Sequence, residues 1–175
     1  ALSLSMLNEG RDMDEFHRRS HGAGRRYHRV IAAAQAARRA EGAGEPAANL
    51  TGRQLFAEFG YRLHVEKQSP SRAFDTVVAA SLEALGLPAG LAAAADDAAW
   101  DQAIRQEHDA AMALVGDDVG SPVIGLEAVA FFGPVLGEVP HGEDAGRLWD
   151  GALALASWPS FYELKRSRTG GLTVE

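Results

Sequence analysis

Residues that favour β-strands cluster in one stretch of this chain, residues 118–136, and this stretch constrains the fold more than any other. Glycine and proline bracket the cluster, as they do around short strands. We predict two strands, residues 123–126 and 129–132, joined by a tight turn at Glu127 and Ala128. The chain is therefore predicted to contain one β-hairpin.

The residues before this stretch have the pattern of a helical protein. From about residue 14 to residue 115, apolar side chains recur at three- and four-residue spacing, which places them on one helix face. The predicted helices begin near Asp14, at Asn49 or Thr51 (ending near Lys67), at Ser71, at Leu87-Pro88 and at Asp96 or Asp97. Gly22 and Gly24 could divide the first helix in two, since each costs up to about 1 kcal/mol relative to alanine.

The two ends of the chain carry weaker patterns. Residues 1–7 alternate small and apolar side chains, and a period of two predicts a strand. After the hairpin, a last long helix is predicted over residues 143–157. Its apolar residues expected to cover the sheet are Leu148, Trp149, Ala152, Leu155 and Ala156. Residues 161–168 are predicted to add another amphipathic turn or two, before a tail at residues 170–175.

Charge and composition exclude several classes of function. The chain has 17 basic and 24 acidic residues and a formal charge of −7, so it should repel nucleic-acid backbones. No apolar run reaches the roughly 18 residues of a membrane span. Residues 1–7 lack a basic leader and a long apolar core, so we expect no signal peptide and a cytoplasmic protein. The chain contains no cysteine, which excludes disulfides and thiol chemistry by its own residues.

A locally basic cluster, residues 17–29, stands out in this acidic chain. One interpretation is a patch that attracts an anionic cofactor or a thiol bearing a carboxylate; the commoner one is a solvated helix face. His17 and His21 would share a face of the helix, as zinc ligands can. No third ligand follows at a suitable spacing, so we predict no metal site.

Five segments, taken in chain order, carry a resemblance to a known family. They are residues 7–9 (Leu-Asn-Glu), 116–122 (Gly-Asp-Asp-Val-Gly-Ser-Pro), 130–136 (Ala-Phe-Phe-Gly-Pro-Val-Leu), 146–150 (Gly-Arg-Leu-Trp-Asp) and 161–166 (Phe-Tyr-Glu-Leu-Lys-Arg). The chain resembles the DsbA-like oxidoreductases of the mycothiol-dependent nitroreductase group, which are similar to FrnE-type proteins. The resemblance implies an α/β, thioredoxin-like fold with an inserted all-helical subdomain, and a cis peptide bond before Pro122.

The absence of cysteine conflicts with this resemblance, because family members carry a Cys-x-x-Cys pair in an N-terminal βαβ portion. Our hypothesis is that the sequence lacks this portion and retains the C-terminal ββα half. The domains expected are a remnant of strand and loop at residues 1–13, the helical subdomain at residues 14–116 and the C-terminal half at residues 117–175. A strand edge left exposed would invite pairing with another chain, so a homodimer is one expected arrangement.

The resemblance also implies where substrates bind. The backbone beside the cis proline, at Gly120, Ser121 and Pro122, would pair with a thiol or a substrate chain. Asn8 corresponds to a position near the mouth of the active site, although a turn-capping asparagine is equally expected. His64 is a candidate on the substrate side, although a histidine at a helix end is commoner. No catalytic residue is assigned within this chain.

The implied activity is thiol-disulfide exchange. The resemblance implies no tightly bound cofactor, mycothiol or glutathione as co-substrate, and reduction of nitro compounds or mixed disulfides. Two alternatives remain open. The chain could be a catalytically inactive helical binding module, or a relative of the kappa-type glutathione transferases and chromene-carboxylate isomerases, which use serine at the motif.

Overall fold

The computed structural model describes residues 2–127, 129–167, 169–171 and 173. The described residues divide into a unit that we call the helical unit, Ser3–Asp109, and one that we call the hairpin unit, Ala110–Glu175. The helices, in order, are α1 (Leu4–Leu7), α2 (Glu15–Ala40), α3 (Glu45–Gly60), a π-helix (Tyr61–Val65), α4 (Phe74–Ala84), 3₁₀ helices (Ala89–Asp96 and Ala98–Trp100), α5 (Asp101–Val115) and α6 (Gly142–Ala156). Within these ranges, no helix combines the length and the apolarity needed to cross a bilayer.

The start of the chain is helical, so the strand predicted over residues 1–7 is wrong. The carbonyl of Ser3 accepts hydrogen bonds from the amides of Met6 and Leu7, at 3.1 and 2.9 Å. The Ser3 amide donates to Nδ1 of His108 at 3.4 Å, and Met6 is buried. A helical turn satisfies its backbone groups within the segment, whereas a strand needs a neighbour.

Helix α2 runs without interruption through Gly22 and Gly24, which we had expected could divide it. The Oδ1 of Asp14 caps its start by accepting a hydrogen bond from the His17 amide at 2.9 Å. The apolar face continues past both glycines, with Ala23 and Tyr27 buried. Burial of a continuous face therefore outweighs the cost of the two glycines, since tertiary packing supplies most of a helix's stability.

Two helix starts were predicted at the wrong residue: the start of α3 was predicted too late and the start of α4 too early. Helix α3 begins after Gly44 with Pro46 in its first turn, because proline's missing amide costs nothing there; it does not begin at Asn49 or Thr51. Helix α4 begins at Phe74 rather than after Ser71. A 3₁₀ helix begins after Pro88, which confirms the start predicted at Leu87-Pro88. The Oδ1 of Asp97 accepts a hydrogen bond from the Ala99 amide at 2.9 Å, which confirms the start predicted at Asp96 or Asp97.

The core of the helical unit lies where α2, α3 and α4 meet. Its aromatic centre is Tyr27, whose ring lies 4.8 Å from Phe59 and 4.5 Å from Phe74, measured between centroids. The Tyr27 hydroxyl donates to the carbonyl of Pro70 at 3.2 Å. The buried aliphatic members of the core are Val30, Ile31, Ala34, Leu55, Val77, Val78, Leu82 and Ala95.

The basic cluster of α2 is largely paired with carboxylates of the same unit. Arg29 binds Asp101 in a bidentate pair, at 2.7 and 2.8 Å. Arg26 makes a similar pair with Asp96, at 2.9 and 3.0 Å. Because these arginines already hold anions, a free anionic ligand would have to compete with the protein's own carboxylates.

The hairpin unit contains the predicted strands, each shorter by one residue. Strand β1 (Val123–Gly125) pairs antiparallel with β2 (Ala130–Phe132), with Val123 opposite Phe132. This register is the one that a turn at residues 127–128 requires. Glu127 is described as a bend, and Ala128 lies outside the described residues.

Helix α6 confirms the predicted position of the last helix, but it does not bury its apolar face. None of its fifteen residues, all of them described, is buried. Leu148, Trp149 and Leu155 are 48%, 38% and 41% exposed, so the prediction that this face covers the sheet is wrong. A hairpin of three-residue strands offers too little surface to cover a helix of this length.

The chain after α6 is irregular. Residues 161–167 form no helix, contrary to prediction, and Arg168 lies outside the described residues. The described part of the tail makes a contact that was not predicted: Thr173 forms a parallel bridge with Glu138, and its amide donates to the carbonyl of Gly137 at 2.8 Å.

Candidate functional site

The segment Gly120-Ser121-Pro122 leads directly into β1. The carbonyl of Pro122 accepts a hydrogen bond from the amide of Gly133 at 2.8 Å. This bond continues the pairing one residue beyond the start of β1 and the end of β2. The Ser121–Pro122 peptide bond is cis, and so is Gly133–Pro134. The pairing holds this segment at the edge of the hairpin.

Gly120 lies against the ring of Phe132. A Cβ atom at this position would come within 3.2 Å of Cε2 of Phe132, closer than ordinary van der Waals contact. A side chain here would therefore displace either the aromatic ring or the Ser121 backbone. The predicted hairpin places Phe132 opposite Val123, but neither the contact with Gly120 nor the need for glycine was deduced from the sequence.

Ser121 has backbone groups available for a ligand. Its side chain is exposed, and within the described ranges neither its backbone nor its hydroxyl makes a hydrogen bond. An extended chain or a thiol conjugate could pair with such a free edge. Among the described residues no base accepts a hydrogen bond from this hydroxyl, so it is not held as an activated nucleophile is.

Asn8 caps the short helix that precedes it. Its side-chain amide donates to the carbonyl of Leu4 at 2.9 Å, and its backbone amide donates to the same carbonyl at 3.2 Å. This is the turn-capping role that we had considered equally plausible. The half-buried side chain keeps its carboxamide oxygen for another partner, so its role toward a substrate stays a prediction.

His64 lies in the π-helix that continues α3, and its side chain is exposed. The segments that hold Asn8 and His64 belong to the helical unit, whereas Gly120, Ser121 and Pro122 belong to the hairpin unit. The latter three form a continuous surface. The assignment of all five to one binding site stays a prediction.

The comparison with protein families decides the relationship of the whole chain. The model of a family described as Rv2466c-like, "Mycothiol-dependent nitroreductase Rv2466c", matches residues 1–166. The chain belongs to this family.

A curated relative of this Rv2466c-like chain is the uncharacterized protein Rv2286c of Mycobacterium tuberculosis. It is 34% identical over 116 residues, which are 65% of this chain and 48% of the relative. The chain thus matches about half the length of that relative. The name of this relative states no activity.

The Rv2466c-like chain offers few groups for chemistry of its own. It contains no cysteine, and its described residues include no cluster of three or more side chains suited to a metal. His17 is held by Asp14, with Nδ1 and Oδ2 2.8 Å apart. A cavity of about 690 Å³ in the hairpin unit is bounded by Glu138, His141, Asp144 and Arg147, and Gly120, Ser121 and Pro122 are not part of its lining.

Proposed function

We propose that this chain is the thiol-binding part of a DsbA-like oxidoreductase that uses mycothiol as co-substrate. One observation carries the proposal: Ser121 is exposed, its backbone is unpaired among the described residues, and it stands at the hairpin edge of a chain that matches the mycothiol-dependent nitroreductase family over residues 1–166. The segment 120–122 would pair with the peptide-like part of the thiol. Asn8 and His64 are proposed as further contacts.

The uncovered face of α6 supports a thioredoxin-like arrangement for the complete protein. Leu148, Trp149 and Leu155 are partly exposed, and a two-stranded hairpin is marginally stable alone. We propose that strands outside this sequence extend the hairpin and cover α6. A second copy of the chain would be the alternative cover, and light scattering that shows a concentration-dependent dimer of the 175-residue chain would favour it.

The proposed chemistry needs a cysteine that this sequence does not contain. A thiolate with its pKa lowered at a helix N-terminus would attack a disulfide and form a mixed disulfide, which a second thiol resolves. For a nitro compound, two thiols become one disulfide and release two electrons and two protons. These convert the nitro group to a nitroso group and one water molecule. Mycothiol would supply the thiols.

The experiment compares the natural full-length protein with the 175-residue chain. We expect mycothiol-dependent reduction of a nitro compound by the full-length protein, and none by the chain alone. Gly120→Ala in the full-length protein should raise the KM for mycothiol about tenfold or more, because overpacking at Phe132 displaces Ser121. Gly137→Ala is the matched control, since no atom lies within 4 Å of the added Cβ. A full-length protein without cysteine, or without mycothiol-dependent turnover, would contradict the proposal.

A second candidate is a binding module that lost catalysis. Two observations favour it. The helical unit has a core formed by residues of this chain, and the chain contains no cysteine. If the full-length protein binds mycothiol in calorimetry but reduces neither a nitro compound nor a mixed disulfide, this candidate is preferred.

A further inference from the structure

The carboxylate of Glu9 lies between two arginines that belong to different helices. Its Oε1 accepts a hydrogen bond from Nη2 of Arg25 in α2, and its Oε2 accepts one from Nη2 of Arg105 in α5, both at 2.6 Å. Nη1 of Arg25 also lies 3.7 Å from Oδ2 of Asp101. We call Glu9, Arg25, Arg105 and Asp101 the Glu9 cluster. The cluster joins the segment that follows α1 to both α2 and α5.

The charges of the Glu9 cluster alternate in sign, so each supports its neighbours. The hydrogen bond from Arg105, followed by that from Arg25, lowers the pKa of Glu9 below its ordinary value of 4.5, so this carboxylate is ionised at neutral pH. A single exposed ion pair contributes little, whereas a carboxylate shared by two arginines forms a network. The side chains of Glu9 and Arg105 are 46% and 42% exposed, so dissolved salt should weaken their attraction.

Helix α1 depends on such contacts for its structure. It has only four residues, and an isolated helix of this length is not stable in water. Met6 is buried and supplies one anchor. Arg25 supplies two more, because its Nε donates to Oγ of Ser5 at 2.9 Å while its Nη2 binds Glu9. Arg25 therefore holds α1 both within the helix and just after its end.

Asn8 lies between these two points of attachment. Its backbone amide and its side-chain amide both donate to the carbonyl of Leu4, so the position of its side chain follows that of α1. Among the described residues, no donor binds its carboxamide oxygen, which can accept from a ligand. A displacement of α1 would therefore redirect this oxygen.

We propose that Glu9, Arg25 and Arg105 are positioning residues of the thiol-binding site: they hold α1 in place and so fix where Asn8 presents its carboxamide oxygen. This inference rests on the proposed function, in which Asn8 contacts the thiol. The three residues act through Asn8, since the Glu9 carboxylate is already bound by both arginines. Loss of the cluster should therefore weaken thiol binding and leave the chemical step unchanged.

The first test measures kcat and the KM for mycothiol in the natural full-length protein. Glu9→Gln keeps the size of the side chain and removes its charge. We expect it to raise the KM about fivefold and to change kcat by less than about twofold. Arg105→Gln should act in the same direction, and Arg105→Lys should recover part of the loss because it keeps a cation. Glu15→Gln is the matched control, since Glu15 also pairs with an arginine of α2, Arg19, but within that one helix.

A double-mutant cycle tests whether the effect of Glu9 passes through Asn8. Asn8→Ala removes the carboxamide, and in that background Glu9→Gln should change the KM by less than about twofold. A purely structural role of Glu9 would instead add its full effect to that of Asn8→Ala. An undiminished effect in that background, or an unchanged KM in Glu9→Gln alone, would overturn the proposal.

Hydrogen exchange in the 175-residue chain gives a readout that needs no turnover. The amides of Leu7 and Asn8 donate to the carbonyls of Ser3 and Leu4, so their exchange reports the opening of α1. We expect Glu9→Gln and high salt each to speed this exchange about fivefold, with little further effect of salt in the variant. Unchanged exchange in Glu9→Gln would overturn the proposal even if the full-length protein is active. Faster exchange together with a full-length protein that shows no mycothiol-dependent turnover would overturn the proposed function and leave the hold of the cluster on Asn8 standing.

Discussion

At the scale of single residues, a close approach between α2 and α3 fixes how the helical unit packs. A Cβ atom on Gly52 would lie 2.7 Å from Nε2 and 2.9 Å from Cδ of Gln35. The Gln35 side chain is buried and hydrogen bonded to Asn49, so it cannot move away freely. Only glycine at this position leaves room for the buried amide.

Gly52→Ala is therefore expected to destabilise the helical unit by about 1–3 kcal/mol, as overpacking does elsewhere. Gly22→Ala is the control, because no atom lies within 4 Å of its added Cβ and alanine favours a helix interior by up to about 1 kcal/mol. Urea unfolding followed by circular dichroism measures both. Equal stabilities of the two variants would contradict the packing argument.

The Arg29–Asp101 pair predicts a dependence of stability on pH. The side-chain hydrogen bond from Arg29 holds the pKa of Asp101 below its ordinary value of 3.8. The ionised carboxylate therefore stabilises the folded state above pH 3.8, and this contribution is lost as the pH falls through the folded-state pKa. We expect the urea midpoint to fall below pH 3.8.

Asp101→Asn should lower stability at pH 7 by about 1–2 kcal/mol, because the pair is only partly exposed. It should also flatten the acid limb of the pH profile. Asp144→Asn is the control, since Asp144 and its partner Arg147 are 72% and 80% exposed. If the Asp101→Asn variant still lost the full amount of stability at acid pH, that loss would come from other carboxylates.

At the scale of elements, the helices of the two units differ in what they bury. Leu82 of α4 is 1% exposed, whereas Leu148 of α6 is 48% exposed. Each lies on the apolar side of an amphipathic helix, and Leu148 was predicted to cover the sheet. The periodicity of a sequence identifies the apolar side, but it cannot show whether a partner is present to cover it.

Leu82→Ala is expected to cost about 2–5 kcal/mol, as for other buried leucines. Leu148→Ala should change stability by no more than about 0.5 kcal/mol, because it removes little buried surface. Urea unfolding of the 175-residue chain provides both values. A large loss in Leu148→Ala would show that the face of α6 is covered in solution, by a second copy for example.

At the scale of the whole molecule, the helical unit has an extensive core of its own, whereas the described residues of the hairpin unit do not form one. Its aromatic and aliphatic core residues all lie between Tyr27 and Ala95. In the hairpin unit, the strands have three residues each and α6 buries none of its side chains. The two units should therefore differ in stability when separated.

A fragment of residues 1–116 is expected to fold and to unfold cooperatively in urea. A fragment of residues 110–175 should show no cooperative transition, because two short strands alone are marginally stable. Circular dichroism and one-dimensional NMR of each fragment measure this. A dispersed spectrum from the second fragment would show that the hairpin unit is stable without further strands.

The sequence alone determined that residues 14–115 are largely helical, where the hairpin lies and how its strands pair. These features follow from local causes: periodicity, Asp14 and Asp97 as caps, and a turn that pairs Val123 with Phe132. The tertiary structure decided the features that depend on distant partners. They are the helical start of the chain, the continuity of α2, the uncovered face of α6 and the Glu9 cluster. A local pattern specifies the backbone of a segment, but burial depends on the neighbours that folding brings to it.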